Sequence, residues 1–536
     1  MGYDEVIPIL GNFGRYQRRI YLLLCLPAIL CAFHKLSNMF LQAKVNHRCQ
    51  LASEFPNATY ELPITILNKS YPYNAVTQKY SSCSLLENGT TEVPCDSYIY
   101  DYSKYESSVV IEWNIVCNRA YLTALADSVF MLGVLVGSIA FGDLSDRFGR
   151  RIIFFISLVI QVVFGLLVSI APEFWSYSIF RFMVGTTTSG VFLVAYVIAM
   201  EMVGPRDRLV AGVISQMFFS LGYMLVALFA YFIHDWRYLQ VALTLPGGLF
   251  FCYWWFIPES ARWLLTKGRL QEAKSLIQKA AKENKVKISD DDLHALLISE
   301  IKPKDANEKS VTVLEIFRHP NLRRRSLIVF FDWMVNSMTY YGLSWNTSNL
   351  GGNDYVNFVI AGAVEIPGYT FLLLTLNRWG RKSILCGCMV TAGIALLLTM
   401  AVPQDLEWLT ITLAMIGKLA ITASYGTVYI FSTEQFPTVI RNAGLGAGSM
   451  CARIGSISAP LINLTNEIWK PFPLIIFGIL SLTAGCVSLM LPETLNQKLP
   501  ATIADGETFG SPMSIIEEEK QLKCDEDVER NEKITF

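Results

Sequence analysis

Apolar residues in this chain fall into long unbroken runs, and polar residues crowd the stretches between them. Runs of about twenty residues, enough to cross a bilayer as a helix, lie near 20–41, 120–141, 152–171, 175–200, 209–233, 238–257, 326–346, 355–376, 383–402, 407–431, 442–465 and 472–491. In lipid every backbone polar group must be satisfied within the segment, so such runs predict helices. The expected fold is an all-α membrane protein with twelve transmembrane helices.

The polar stretches repeat. Asp146-Arg147-Phe148-Gly149-Arg150-Arg151 returns as Asn377-Arg378-Trp379-Gly380-Arg381-Lys382. Glu201 followed by Arg208 returns as Glu434 followed by Arg441, and Pro258-Glu259-Ser260 returns as Pro492-Glu493-Thr494. The order is the same and the offset nearly constant, which predicts two pseudo-symmetric six-helix bundles. The expected organisation is a cytoplasmic N-terminus at 1–19, a bundle at 20–257 and a charged cytoplasmic linker at 258–325. A second bundle at 326–491 and a disordered cytoplasmic tail at 492–536 follow.

Charge placement gives the orientation. Arg15, Arg18 and Arg19 precede the first run, Arg147, Arg150 and Arg151 follow the second, and Arg378, Arg381 and Lys382 follow the eighth. The alternate short connections are nearly bare of basic residues, Arg237 and Lys470 excepted, so both termini are expected inside the cell. The loop at 42–119 then lies outside. It carries Cys49, Cys83, Cys95 and Cys117, and the glycosylation sequons at Asn57, Asn68 and Asn88. Four cysteines on an oxidising side predict two disulfides, with three pairings open. Arg269 to Lys282 reads as an amphipathic helix beside the membrane. The closing Ile534-Thr535-Phe536 has the form of a strand that adds to a PDZ groove, an ending that also arises by chance.

Hydrophobic content of 52% is high for a soluble protein, and a net charge of −1 gives no sign of nucleic-acid binding. No GxxxxGK[ST], HExxH or GxSxG run occurs, so neither ATP-driven transport nor an enzyme is expected. No cofactor or metal is expected, and Na⁺ or H⁺ coupling stays open.

Asp143, Asp146, Arg147 and Arg150, with Glu201 and Arg208, form one set of candidate gating charges. Arg378, Arg381, Glu434 and Arg441 form the second. Such pairs can break and re-form as one half rocks against the other; the alternative is that the arginines only hold the loops in the cytoplasm. Gly142-Asp143-Leu144-Ser145-Asp146-Arg147-Phe148-Gly149-Arg150-Arg151 resembles the major facilitator signature. Pro258-Glu259-Ser260-Ala261-Arg262-Trp263-Leu264, the run from Leu491 to Pro500 and the large first loop narrow the resemblance to the organic ion transporter family. The resemblance covers roughly residues 1–505. It implies a plasma-membrane carrier of organic cations, anions or zwitterions such as carnitine, with a central cavity opened alternately to each side.

Intramembrane charges are costly and default to a cavity or a pairing role. Here they are His34, Lys35, Asp127, Asp332, Glu365, Lys418 and Arg453. Arg453 offers a planar fork for a carboxylate, and Glu365 offers a partner for ammonium. Both can equally be neutralised by other buried charges. Lys418 and Asp332 read as structural pairs, Asp127 as a cap or pair near the outer face, His34 as a hydrogen-bonded structural residue, and Lys35 as snorkelling outward. Tyr223, Tyr340, Tyr341, Tyr425 and Phe431 supply rings for a cation. By resemblance, an Arg in span eleven, where Arg453 stands, goes with anion and carnitine carriers, whereas Val364-Glu365-Ile366-Pro367 and the run from Tyr341 to Leu350 are closest to the carnitine and cation branch. The expected substrate is a small organic cation or zwitterion. An organic anion carrier, a proton-coupled sugar carrier and a nontransporting receptor are the competing readings.

Overall fold

The computed structural model describes residues 3–510, apart from 52–53, 55–58, 75–78, 88–90, 205–206, 290–292, 295, 298–312, 404 and 498. Asn57, Asn88, part of the linker and the C-terminal tail from 511 lie outside the described residues.

Helices occupy all twelve apolar runs. We number them α1 (Arg15–Leu41), α2 (Tyr121–Phe148), α3 (Arg150–Ser169), α4 (Phe174–Met202), α5 (Arg208–Phe232), α6 (Trp236–Thr244), α7 (Pro320–Trp345), α8 (Asp354–Trp379), α9 (Arg381–Leu398), α10 (Glu407–Gln435), α11 (Arg441–Leu464) and α12 (Phe472–Ser488). By length and composition α1–α5 and α8–α10 qualify as membrane spans. The other four depart for local reasons. Pro246, Gly247 and Gly248 follow α6, and the chain continues as a 3₁₀ helix over Leu245–Trp255. Polar residues dilute α7 and α11, and α12 is 17 residues long. Two spans are interrupted. Turns at Leu26, ahead of Pro27, and at Ser37 break α1, and a turn at Val364 breaks α8, where Pro367 removes a backbone donor.

The chain divides into two compact units. Unit 1 comprises Met1–Ile301 with Asn353–Gly362, and unit 2 comprises Lys302–Gly352 with Ala363–Phe536. The break in α8 falls at this division, so the first part of that helix packs with unit 1. There Phe358 meets Phe40 and Tyr223 with ring centroids 5.0 and 4.5 Å apart. Close approach of α2 and α4 holds unit 1 together. A methyl group added at Gly133, Gly137 or Gly185 would collide with the facing backbone, the packing of small residues expected where lipid supplies no hydrophobic drive.

The segment between α1 and α2 is a small folded element at one end of unit 1. Its strands pair as His47–Cys49 with Tyr98–Tyr100, Tyr73–Asn74 with Lys79–Tyr80, and Ser84–Glu87 with Thr91–Pro94. Disulfides join Cys49 to Cys95 and Cys83 to Cys117, one of the three pairings. Arg48 is buried among Glu54, Tyr71 and the Cys49 carbonyl. Burial of Glu54 works against its charge, yet the Arg48 bond holds its carboxyl below the usual range.

The linker helix, Leu270–Asn284, departs from expectation. Its apolar face, with Ala273, Ile277, Ala280 and Ala281 buried, is covered by the chain itself. Asn284 accepts the Tyr16 N–H at 2.9 Å and donates to the Leu10 carbonyl and Gln17, and Glu283 pairs with Arg19 at 3.0 Å. This helix caps the start of α1, and leaves no apolar stripe for the lipid surface.

Candidate functional site

The repeated motifs build the same cluster once in each unit. In unit 1, α2 ends at Gly149 with φ +112°, and α3 begins at Arg150. The Glu259 carboxylate accepts the N–H groups of Arg150 and Arg151 at 3.0 and 3.1 Å, an anion placed on a helix N-terminus. Arg150 pairs with Glu201 and stands 3.6 Å from Asp146. Ser260 donates to Glu201 at 2.5 Å. In unit 2, Gly380 has φ +87° and Glu493 accepts from Arg381 and Lys382 at 2.9 and 3.1 Å. Arg381 pairs with Glu434 at 3.1 Å, and Thr494 donates to Glu434. Both glycines are required twice over: their φ suits glycine, and a side chain would run into the capping carboxylate.

Each of these ion pairs is internal to one unit. They tie a helix–helix turn to α4 or α10 and to the segment after the last helix of that unit. Five expected members stand apart. Arg147 pairs with Asp143 at 2.8 Å on the exposed face of α2, and Arg378 is exposed. Arg208 donates to the Val203 carbonyl at 3.2 Å, and Arg441 to Thr438 at 3.3 Å. The roles of Glu259 and Glu493 were missed from sequence, although their shared Pro-Glu-Ser/Thr context was visible.

Unit 2 also gathers intramembrane charge. Glu365 and Lys418 are 3.1 Å apart with side chains 0% and 2% exposed. Tyr340 donates to Glu365 at 2.6 Å, Lys418 donates to Ser344 at 2.6 Å, and the ammonium lies 3.4 Å from the Tyr340 ring centroid. Glu365 is thus neutralised by Lys418, not by Arg453. Asp332 is held by Ser488 at 2.7 and 2.8 Å and meets no cation in an ion pair among the described residues. Arg453 lies within electrostatic reach of the Tyr341, Tyr425 and Tyr429 hydroxyls. Its Nε has no hydrogen-bond partner among the described residues. Tyr425 continues into a ring cluster with Trp333, Tyr340 and Tyr429, centroids 6.2, 5.7 and 5.6 Å away.

Unit 1 holds a different arrangement. Arg181 of α4, an intramembrane charge missing from the sequence candidates, is fully buried. It donates to the His34 carbonyl at 3.0 Å and to Asn38, whose amide in turn donates to Asp127. Its guanidinium carbon sits 4.5 Å from the Phe130 ring centroid. Two expectations fail here. Lys35 does not snorkel: it is 6% exposed, with its ammonium 5.6 and 5.7 Å from the Phe192 and Phe219 rings. His34 is fully buried, but neither ring nitrogen finds a hydrogen-bond partner among the described residues. Tyr223 is buried against Phe358. Asn68 is exposed in the 42–119 segment, accepting from Tyr80 at 2.5 Å. His47, Cys83 and Cys117 lie close enough to hold a metal, but both thiols are consumed by the disulfide.

Comparison with known proteins places this geometry. Residues 57–502 match the family model described as sugar (and other) transporter. The chain is 60% identical over 534 residues to an organic cation transporter protein of Drosophila melanogaster, covering 97% of each. It is 58% identical to an organic cation transporter-like protein of the same organism, over 95% of this chain and 93% of the other. The xylose transporter XylE from E. coli, in a partially occluded inward open conformation, superposes with a TM-score of 0.62 at 16% identity, over 90% of this chain and all of that one.

Proposed function

We propose, on the premise that the chain belongs to the sugar (and other) transporter family of the major facilitator superfamily and is close kin to organic cation transporters, that it carries small organic ions across a membrane by alternating access. One observation supports the ionic substrate class. One buried acid of unit 2, Glu365, already has its counter-ion in Lys418, while the Arg453 Nε has no hydrogen-bond partner among the described residues and the guanidinium lies among tyrosine hydroxyls. With the other buried acid, Asp332, held by Ser488, that leaves the Arg453 guanidinium outside any ion pair among the described residues and beside a wall of aromatic rings. A carboxylate satisfies the first and an ammonium the second, so a zwitterion of the carnitine type fits both. The names of the close relatives support the cationic part of this reading.

Both termini lie on the cytoplasmic side and the disulfide-bonded 42–119 segment outside, glycosylated at Asn57, Asn68 and Asn88, in the plasma membrane. This agrees with the arginines of the motif turns and with the paired cysteines. The clusters of Arg150 with Glu201 and Arg381 with Glu434 stiffen the cytoplasmic end of each bundle, so that the halves move as bodies between access states. The final residues offer themselves to a PDZ-type partner.

The test is uptake of labelled carnitine, tetraethylammonium and glucose by liposomes holding the purified chain. Carnitine and tetraethylammonium are carried and glucose is not. Arg453→Ala lowers carnitine uptake at least tenfold, about 1.4 kcal/mol, with a smaller effect on tetraethylammonium. Uptake of glucose alone would place the protein among sugar carriers, and equal losses for both ions would remove the carboxylate contact.

A further inference from the structure

The charges of unit 1 are joined in a way that those of unit 2 are not. Arg181 and Asp127 do not meet. Between them stands Asn38, 2% exposed, which accepts from the Arg181 Nη2 through its oxygen and donates to an Asp127 oxygen through its nitrogen. The orientation of one amide is therefore set by a cation on one side and an anion on the other. Asn38 directly follows Ser37, where α1 is broken, and Arg181 also grips the His34 carbonyl just before that break. The relay links α2, α1 and α4 at one of the two breaks in α1, the one at Ser37.

A guanidinium stays charged in a protein, so Asp127 is the member that can change state. While it is ionised the relay is neutral. Once protonated, it leaves Arg181 a buried cation with no counter-charge, and the Nε and Nη1 of Arg181 are already without hydrogen-bond partners among the described residues. The bridge cannot keep its present form, and α1 must shift at the break or Arg181 must find another acceptor. Among the described residues the titratable groups within electrostatic reach of the relay are His34 of α1 and Tyr177 of α4, whose hydroxyl accepts from Gln42 at 3.1 Å, while the Lys35 ammonium, also on α1, lies against the Phe192 and Phe219 rings. Gln161 of α3 and Gln240 of α6 are uncharged, and the pair of Arg237 with Glu112 and the Asp235 cap lie beyond the helix ends. We propose that Asp127 is a proton-binding site and that proton uptake and release there, transmitted through Asn38 to the break in α1, couple this carrier to a pH gradient. The step is a proton passing from water to an Asp127 carboxylate oxygen and back, with no other bond made or broken. It rests on the transport reading above and adds the coupling ion.

Two measurements test it. Purified chain is placed in liposomes with the membrane potential clamped, and carnitine and tetraethylammonium serve as probes. A gradient of one pH unit drives about tenfold accumulation of the carried probe, the ratio for one proton per substrate. Asp127→Asn still exchanges probe at equal pH but accumulates none, Asp127→Glu restores accumulation, and His34→Phe leaves it unchanged. No gradient-driven accumulation in the wild type, full accumulation by Asp127→Asn, or its loss in His34→Phe each overturns the proposal while exchange at equal pH preserves the transport reading. The second measurement needs no substrate. Infrared difference spectra across pH show a protonated carboxyl band in the wild type that Asp127→Asn removes. If neither probe is exchanged, the transport reading fails by itself, and absence of this band disposes of the proton site as well.

Discussion

The two units agree at one level and disagree at another. Their motif turns are near copies: Arg150, Glu201, Glu259 and Ser260 in unit 1 stand as Arg381, Glu434, Glu493 and Thr494 do in unit 2. Their intramembrane charges share no such plan. Unit 1 separates Arg181 from Asp127 by an amide, whereas unit 2 puts Lys418 directly on Glu365 and keeps Arg453 apart. The turns need the same physics in both halves, a carboxylate on a helix N-terminus and an arginine locked to an acid. The interior charges face different tasks, and duplication left them free to diverge.

The contrast breaks most visibly at Glu365. Glu365→Gln leaves the Lys418 ammonium buried without its counter-ion and should cost about 3–5 kcal/mol, as removal of one partner of a buried pair does. Glu365→Gln with Lys418→Met together should recover most of that loss. Thermal unfolding in detergent measures both; a double variant no better than the single would mean the two residues act separately.

Next come the turns, where the two units should respond alike. Arg150→Ala and Arg381→Ala each strip the partner from a largely buried glutamate and should each cost about 2 kcal/mol. Glu259→Gln and Glu493→Gln, which weaken a helix cap, should each cost about 1 kcal/mol. Matched losses support a shared stiffening role. A deficit confined to one unit would mean that the copies have parted in function as well as in the Asp146-to-Asn377 exchange.

How much of this was legible in the sequence follows the same division. The twelve helices and the doubled turns could be read, because lipid enforces long apolar runs and because motif repeats survive in order. That Arg150 seeks Glu201 could be suspected from charge alone. The partner of Glu365 could not, since Lys418 and Arg453 were both available as counter-ions until α7, α8 and α10 were packed. Lys35 was misplaced for a related reason. Whether a lysine near a helix end reaches outward depends on which face of α1 meets α4 and α5, and here it meets the rings of Phe192 and Phe219. Arg181 drew no attention in the sequence although it lies inside the fourth apolar run, because its partners Asn38 and the His34 carbonyl come from another helix.

The smallest expected effect is also the sharpest probe of the motif itself. Arg147 lies in the same turn as Arg150, but its partner Asp143 is one helical turn away and both side chains are more than half exposed. A pair of that kind contributes under about 0.5 kcal/mol, so Arg147→Ala should leave the unfolding temperature almost unchanged, where Arg150→Ala lowers it. Turnover separates what stability cannot. If Arg147 takes part in the rocking of the halves, initial uptake rates fall several-fold in Arg147→Ala while binding at equilibrium is retained, and Arg378→Ala, its counterpart on the other turn, behaves the same way. An unchanged rate in both would confine the working part of each motif to the arginine that faces the glutamate, and would leave the exposed pair the single task of holding its loop in the cytoplasm.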